Sequence, residues 1–253
     1  MGKNKLKKFA EMETLSCVHQ YPFNILKEQG ECPLHGRWGS DVFHNTNPIV
    51  LELGCGKGEY AVGLGKLYPD KNFIGIDIKG ARMWTGAKEA EEAGMTNVAF
   101  LRTSIHLLAS FFAPGEVSEI WITFPDPQMK KVNKRLTGTH FLEIYRQVLA
   151  KDGKIHLKTD SPFLYTYTTE MLRHNGITPE AATDDIYGTE YAAIVPPIKT
   201  FYEQQWLARG IPSKYVAWHI PTGIILTEPE IEIEPDTYRS FGRGTVSQLT
   251  KDN

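Results

Sequence analysis

Val50-Leu51-Glu52-Leu53-Gly54-Cys55-Gly56-Lys57-Gly58-Glu59 passes from an apolar run through three alternating glycines into a helical segment. Positions without a side chain let the backbone turn tightly and approach a ligand closely. A helix that starts directly behind such a loop presents free N–H groups to an anion. The stretch therefore predicts the first strand, binding loop and first helix of a doubly wound α/β sheet. In that fold, ligands bind at the carboxyl ends of the strands. Asp77 ends the next apolar run, close to the ~20-residue offset at which an acid grips ribose hydroxyls. The glycine spacing is Gly-x-Gly-x-Gly rather than Gly-x-Gly-x-x-Gly. Glu52, adjoining the loop, suits a cationic group and would repel a pyrophosphate.

Working outward, apolar runs alternate with helical patterns. Strands are predicted at 49–53, 72–77, 97–102, 119–124 and 154–159, with helices at 59–68, 80–93, 104–112, 138–150 and 162–175. Near-continuous apolar strands alternating with helices imply right-handed crossovers into one mostly parallel sheet, the α/β class. Beyond it, 183–197 reads as a long loop or lid, 200–209 as a helix, 215–220 as a strand and 223–227 as strand-like. The organisation expected is an irregular N-terminal extension over 1–47 with a possible short helix, a main domain over 48–220, and a short acidic tail over 221–253. Tyr21, Phe23, Arg37 and Trp38 let the extension dock on the body or on a ligand. No internal repeat is present.

The chain of 253 residues is 41% hydrophobic and 23% charged, a globular composition that suits one large domain with extensions. No apolar stretch approaches the ~20 residues that span a bilayer, and the basic start lacks a secretory apolar run. A soluble cytoplasmic protein without membrane contact is expected. Three cysteines are too few for a disulfide framework. Cys17, His19, Cys32 and His35 form a common zinc donor set, but their spacing fits no standard finger. Reduced thiols and no metal are the expectation.

The net charge of −2 carries no global nucleic-acid signature, so its distribution matters more. Positive charge collects at Lys3, Lys5, Lys7 and Lys8, and again at Lys130, Lys131, Lys134 and Arg135. Negative charge collects at Glu228, Glu230, Glu232, Glu234 and Asp236. The second basic cluster directly follows Phe124-Pro125-Asp126-Pro127, past the fourth predicted strand. Two prolines stiffen that loop and would hold Asp126 toward the cleft. Positive charge beside a reaction centre suggests a substrate that carries phosphates.

Glu52-x-Gly54-x-Gly56-x-Gly58 resembles the first motif of the class I S-adenosylmethionine-dependent methyltransferases. Val50 to Gly58, Gly75-Ile76-Asp77, Phe124-Pro125-Asp126-Pro127 with Lys130-Lys131, Lys158-Thr159-Asp160, and Thr200-x-x-Glu203 follow in order. Together, from about Pro48 to Ile220, they resemble the bacterial tRNA (guanine-N7-)-methyltransferase family. The resemblance implies S-adenosylmethionine held by Glu52, Gly54, Gly56, Gly58, Asp77, Ser104 and Asp126. It makes Asp126 the catalytic or nucleobase-contacting acid, and tRNA the partner, methylated at guanine 46 of the variable loop. Lys130, Asp160, Thr200 and Glu203 become substrate contacts, with Lys131, Lys134 and Arg135 on the tRNA backbone.

The chain departs from the family pattern in three ways. Ser104 stands where many members carry an acid near the adenine, Gln128-Met129 replaces Trp-Pro, and Val132 interrupts a shortened basic run. A methyltransferase of small molecules or proteins would share the first motif and Asp77. A non-catalytic tRNA-binding protein on this fold is a further alternative. Monomer and homodimer are both open. Trp38, Tyr187 and Tyr191 could stack on an exposed base or simply fill core.

Overall fold

The computed structural model describes residues 3–21, 26 and 30–238, with the backbone alone for residues 3–5. Phe23 and the tail beyond Tyr238 lie outside the described residues. In chain order the elements are α1 (Lys3–Met12), β1 (Val18–Gln20), β2 (Ile49–Leu53), α2 (Glu59–Leu67), β3 (Asn72–Asp77) and α3 (Gly80–Glu92). They continue with β4 (Val98–Arg102), α4 (Leu108–Phe111), β5 (Val117–Thr123), α5 (Thr139–Arg146), β6 (Leu149–Thr159) and α6 (Pro162–His174). The last are β7 (Ala181–Thr183), α7 (Phe201–Leu207) and β8 (Lys214–His219).

Among the described residues the strands form one sheet in the order β1-β4-β3-β2-β5-β6-β8-β7. The strands from β1 to β6 pair in parallel; β8 runs antiparallel to both β6 and β7. The expected doubly wound, mostly parallel fold is therefore observed. Both faces are covered, which is why all five residues of β2 are buried. One face packs Leu51, Leu53, Ile74 and Ile76 against Phe111, Leu142, Leu164 and Met171. The other packs Val50, Phe73 and Phe100 against Tyr60, Leu64, Met83 and Ala87.

The N-terminal segment is more regular than its sequence pattern suggests. β1 extends the sheet edge, with His19 opposite Leu101. Trp38 is fully buried on the first face, its indole N–H donating to the Phe111 carbonyl at 2.8 Å. α5 stops at Arg146, where 3₁₀-type bonds from the Gln147 and Val148 amides tighten the last turn. β6 then begins at Leu149 rather than at 154, because a register shift in β5 lets Leu149 pair with Val117. Residues 223–227 form no strand: Ile225 is 89% exposed, and the segment lies along α5 and α6, its Ile224 and Thr227 carbonyls accepting from the Arg146 and Asn175 side chains. No described helix is long and apolar enough to cross a membrane.

Candidate active site

The sheet order reverses direction beside β2, since β3 and β4 follow to one side while β5 and β6 lie on the other. That switch point is where an open α/β sheet parts to admit a ligand. It lines up the segments that follow β4, β3, β2, β5 and β6. Ser104, Asp77, Gly54, Asp126 and Asp160 therefore stand in a row along one edge.

Gly54, Gly56 and Gly58 all have left-handed backbones, with φ of 72°, 56° and 73°. A Cβ at Gly54 would meet nothing within 4 Å, so this part of the loop faces open space. Gly58 differs: its Cβ would strike the Phe100 ring at 2.5 Å, so glycine is needed there for packing. It precedes α2, whose N-terminus has no side-chain cap. Asp77 joins the loop directly. Its Oδ2 accepts from the Gly56 amide at 3.0 Å and its Oδ1 from the Lys79 amide at 2.8 Å.

Glu52 lies beneath the loop, 3% exposed. Its carboxyl accepts from the Ala61 amide at 2.9 Å and the Thr123 hydroxyl at 2.8 Å. Burial pushes its pKa up to about 8, against the opposing pull of those two donors. No sequence motif marks Thr123. It ends β5, so its bond to Glu52 ties the glycine loop to the Asp126 loop.

A cavity of about 700 Å³ opens beside Asp77 and is walled by Ile78, Thr103 and Ser104. Its far side comes from the N-terminal segment, through Glu13, Gln20 and Tyr21.

Past β5, Phe124 and Gln128 both adopt positive φ, 47° and 48°. Non-glycine residues hold such conformations only when their surroundings enforce them, most often at functional loops. Here Phe124 donates its amide to the Lys158 carbonyl at 2.7 Å. Asp126 between them is exposed, and its Oδ1 accepts from the Gln128 amide at 3.0 Å. Lys130, Lys131 and Lys134 are exposed on the same loop.

Arg135, expected with these lysines on a tRNA backbone, is instead 6% exposed. Its guanidinium donates to the Gln128 and Met129 carbonyls and lies over the Phe163 and Tyr167 rings. It braces the loop from within. Thr200 and Glu203, expected as substrate contacts, are buried too. The Thr200 hydroxyl caps α7 by accepting from the Glu203 amide at 3.2 Å. Glu203, with no exposed surface, pairs with the equally buried Lys158 at 2.9 Å and accepts from Tyr187 and Ser213. A buried ion pair survives only with such extra hydrogen bonds. Asp160 is 1% exposed and accepts from the Tyr238 hydroxyl at 2.7 Å.

Trp38 is fully buried, so it fills core, and Tyr187 serves Glu203. Cys17 and Cys32 pack on opposite faces of the sheet. Burial raises both thiols, Cys17 to about 12. Among the described residues no three His, Cys, Asp or Glu side chains gather as a metal site.

Residues 46–214 match a family model described as "Putative methyltransferase". The tRNA (guanine-N(7)-)-methyltransferase of Porphyromonas gingivalis is 61% identical over 240 residues, covering 94% of this chain and 98% of that protein. That of Bacteroides fragilis is 55% identical over 249 residues, covering 98% of both. Among solved structures, the 16S rRNA methyltransferase KamB superposes with a TM-score of 0.53 at 14% identity, over 69% of this chain and 88% of that one. So distant a likeness speaks for the fold alone. The sequence relatives speak for more, because they run nearly end to end. The chain belongs to the tRNA (guanine-N7-)-methyltransferase family of enzymes.

Proposed function

We propose that the chain uses S-adenosylmethionine to methylate N7 of guanine 46 in the tRNA variable loop. One observation carries the reading. The open left-handed glycine loop, with Asp77 bonded into it, follows the strand next to the one that leads into an exposed aspartate on a rigid loop that also bears lysines. The site fits the cofactor: Gly54 leaves room for backbone approach, and the cavity beyond Asp77 offers a place for a nucleoside base. Asp77 would hold the ribose, with Ile78 and Ser104 along the base. When bound, the sulfonium supplies an electrophilic methyl group.

Guanine N7 carries a lone pair and no proton. It needs no general base, so the protein's task is alignment of the reacting atoms. Positive charge grows on the purine as the methyl is taken up, and the Asp126 carboxylate would stabilise it. The same group would accept from the guanine N1–H and N2–H₂. Lys130, Lys131 and Lys134 hold the tRNA backbone, which sets register rather than base identity.

Labelled methyl transfer to tRNA transcripts with guanine or 7-deazaguanine at position 46 tests this. Labelling of the guanine transcript alone is expected, because the 7-deaza base has carbon in place of the nucleophile. Equal labelling of both overturns the assignment.

A further inference from the structure

After β8 the chain crosses α5 and α6 and returns to the cleft, held at two acids. Glu228 accepts from the Thr139 amide at 2.9 Å and hydroxyl at 2.7 Å, and from the Tyr167 hydroxyl. Asp236, 5% exposed, accepts from the Phe163 amide at 3.0 Å and from the Ser161 hydroxyl at the start of α6. The Asp236 amide also lies 3.2 Å from the Met129 sulfur, on the loop that carries Asp126. One residue thus ties the tail to both segments that flank the cleft. Two residues further on, the Tyr238 hydroxyl donates to Asp160 Oδ2 at 2.7 Å. The Tyr238 ring is half-buried and meets the half-buried Trp206 edge to face, with centroids 5.1 Å apart and planes at 74°.

Asp160 is shut away from solvent here, so a base entering the cleft does not meet its carboxylate first. Tyr238, partly exposed above it, is the group within reach. A carboxylate gripping a phenolic hydroxyl fixes the direction of the ring, and Trp206 fixes its tilt. RNA recognition relies on unstacked loop bases packing against such aromatic faces.

We propose that Tyr238 and Trp206 form the corner that receives the target guanine, and that Asp160 is a positioning residue that holds Tyr238. This rests on the cleft being the guanine N7 methyl-transfer site. It assigns the acidic tail a place in substrate recognition: Glu228 and Asp236 anchor the segment, and Tyr238 is what they deliver.

Initial rates with a tRNA transcript, cofactor titrations and thermal melts on the full chain test the proposal. Tyr238→Ala and Trp206→Ala should each raise KM for tRNA about tenfold through lost base stacking, with cofactor affinity unchanged. Tyr238→Phe and Asp160→Asn should each raise it about threefold, the effect of one weakened hydrogen bond. Their double variant should be no worse than the poorer single, because both changes strike one bond.

Folded Tyr238→Ala or Trp206→Ala protein with wild-type KM overturns the receiving corner. Multiplying effects of Tyr238→Phe and Asp160→Asn overturn the positioning role. Should Tyr238→Ala unfold, Trp206→Ala and Tyr238→Phe decide. A wild-type chain that methylates no tRNA overturns the underlying reading instead, and is distinct from an active enzyme indifferent to Tyr238.

Discussion

Burial takes the Glu52 carboxyl out of water and leaves it two donors, the Ala61 amide and the Thr123 hydroxyl. Desolvation outweighs both, so the carboxyl is pushed up to about 8, well above the ordinary carboxylate range near 4.5. The folded chain therefore keeps a proton that the unfolded chain releases. Stability from this group is fully present below pH 4.5 and is lost as pH rises through 8. Each pKa unit corresponds to about 1.4 kcal/mol, so the effect is measurable. Glu52→Gln, neutral at every pH, should lose less melting temperature than wild type between pH 5.5 and 8.5. Parallel melting curves across that range would contradict the burial of an ionisable group. The position of Glu52 beside the glycines was legible in the sequence; its burial was not. The same holds for Arg135 and Glu203, since charged residues are rarely fully buried and default to exposed. What buries Glu203 is Lys158, a partner 45 residues away that no local pattern reveals.

At the scale of elements, legibility follows length and burial. β3 spans the residues its apolar run predicts, Asn72–Asp77, because two covered faces demand continuous apolar sequence. β1 and β7 are three residues each, and β1 is only half-buried, so neither shows a period to read. Trp38 is the residue that turns the N-terminal segment from an appendage into part of the fold. It stacks on Phe112 with centroids 5.3 Å apart and satisfies the Phe111 carbonyl. Trp38→Ala should cost about 3–5 kcal/mol of stability, the range for emptying a large aromatic site. Trp38→Phe should recover part of that loss while still lacking the hydrogen bond. Chemical denaturation measures both. An alanine variant within about 0.5 kcal/mol of wild type, as for a surface site, would show that the segment docks without Trp38. Glu13, Gln20 and Tyr21 wall the cavity beside Asp77, so a loosened segment should also weaken cofactor binding.

For the whole molecule, a net charge of −2 conceals two opposed features set side by side. Exposed Lys130, Lys131 and Lys134 follow Asp126, and the acidic tail lies against the same loop. Met129, Val132 and Arg135 face Glu228, Ile231 and Glu232 across a shared cavity. The sequence shows both clusters but not their adjacency, which depends on the tail folding back across α5 and α6. Adjacency has an electrostatic consequence. Neutralising phosphates releases counterions, and each contact contributes about 0.7–0.9 to the slope of log affinity against log salt. Replacing the three lysines by alanine should weaken tRNA binding and flatten that slope by about 2. Glu230→Gln with Glu232→Gln should act in the opposite sense, tightening binding at low salt and losing the gain as screening shortens the reach of charge. Filter binding of a tRNA transcript from about 50 to 200 mM salt reads both effects. An unchanged slope in the lysine variant would take the loop out of the interface. An unchanged affinity in the glutamine variant would mean that the tail's charge is turned away from the RNA, leaving Tyr238 as its contribution to the site.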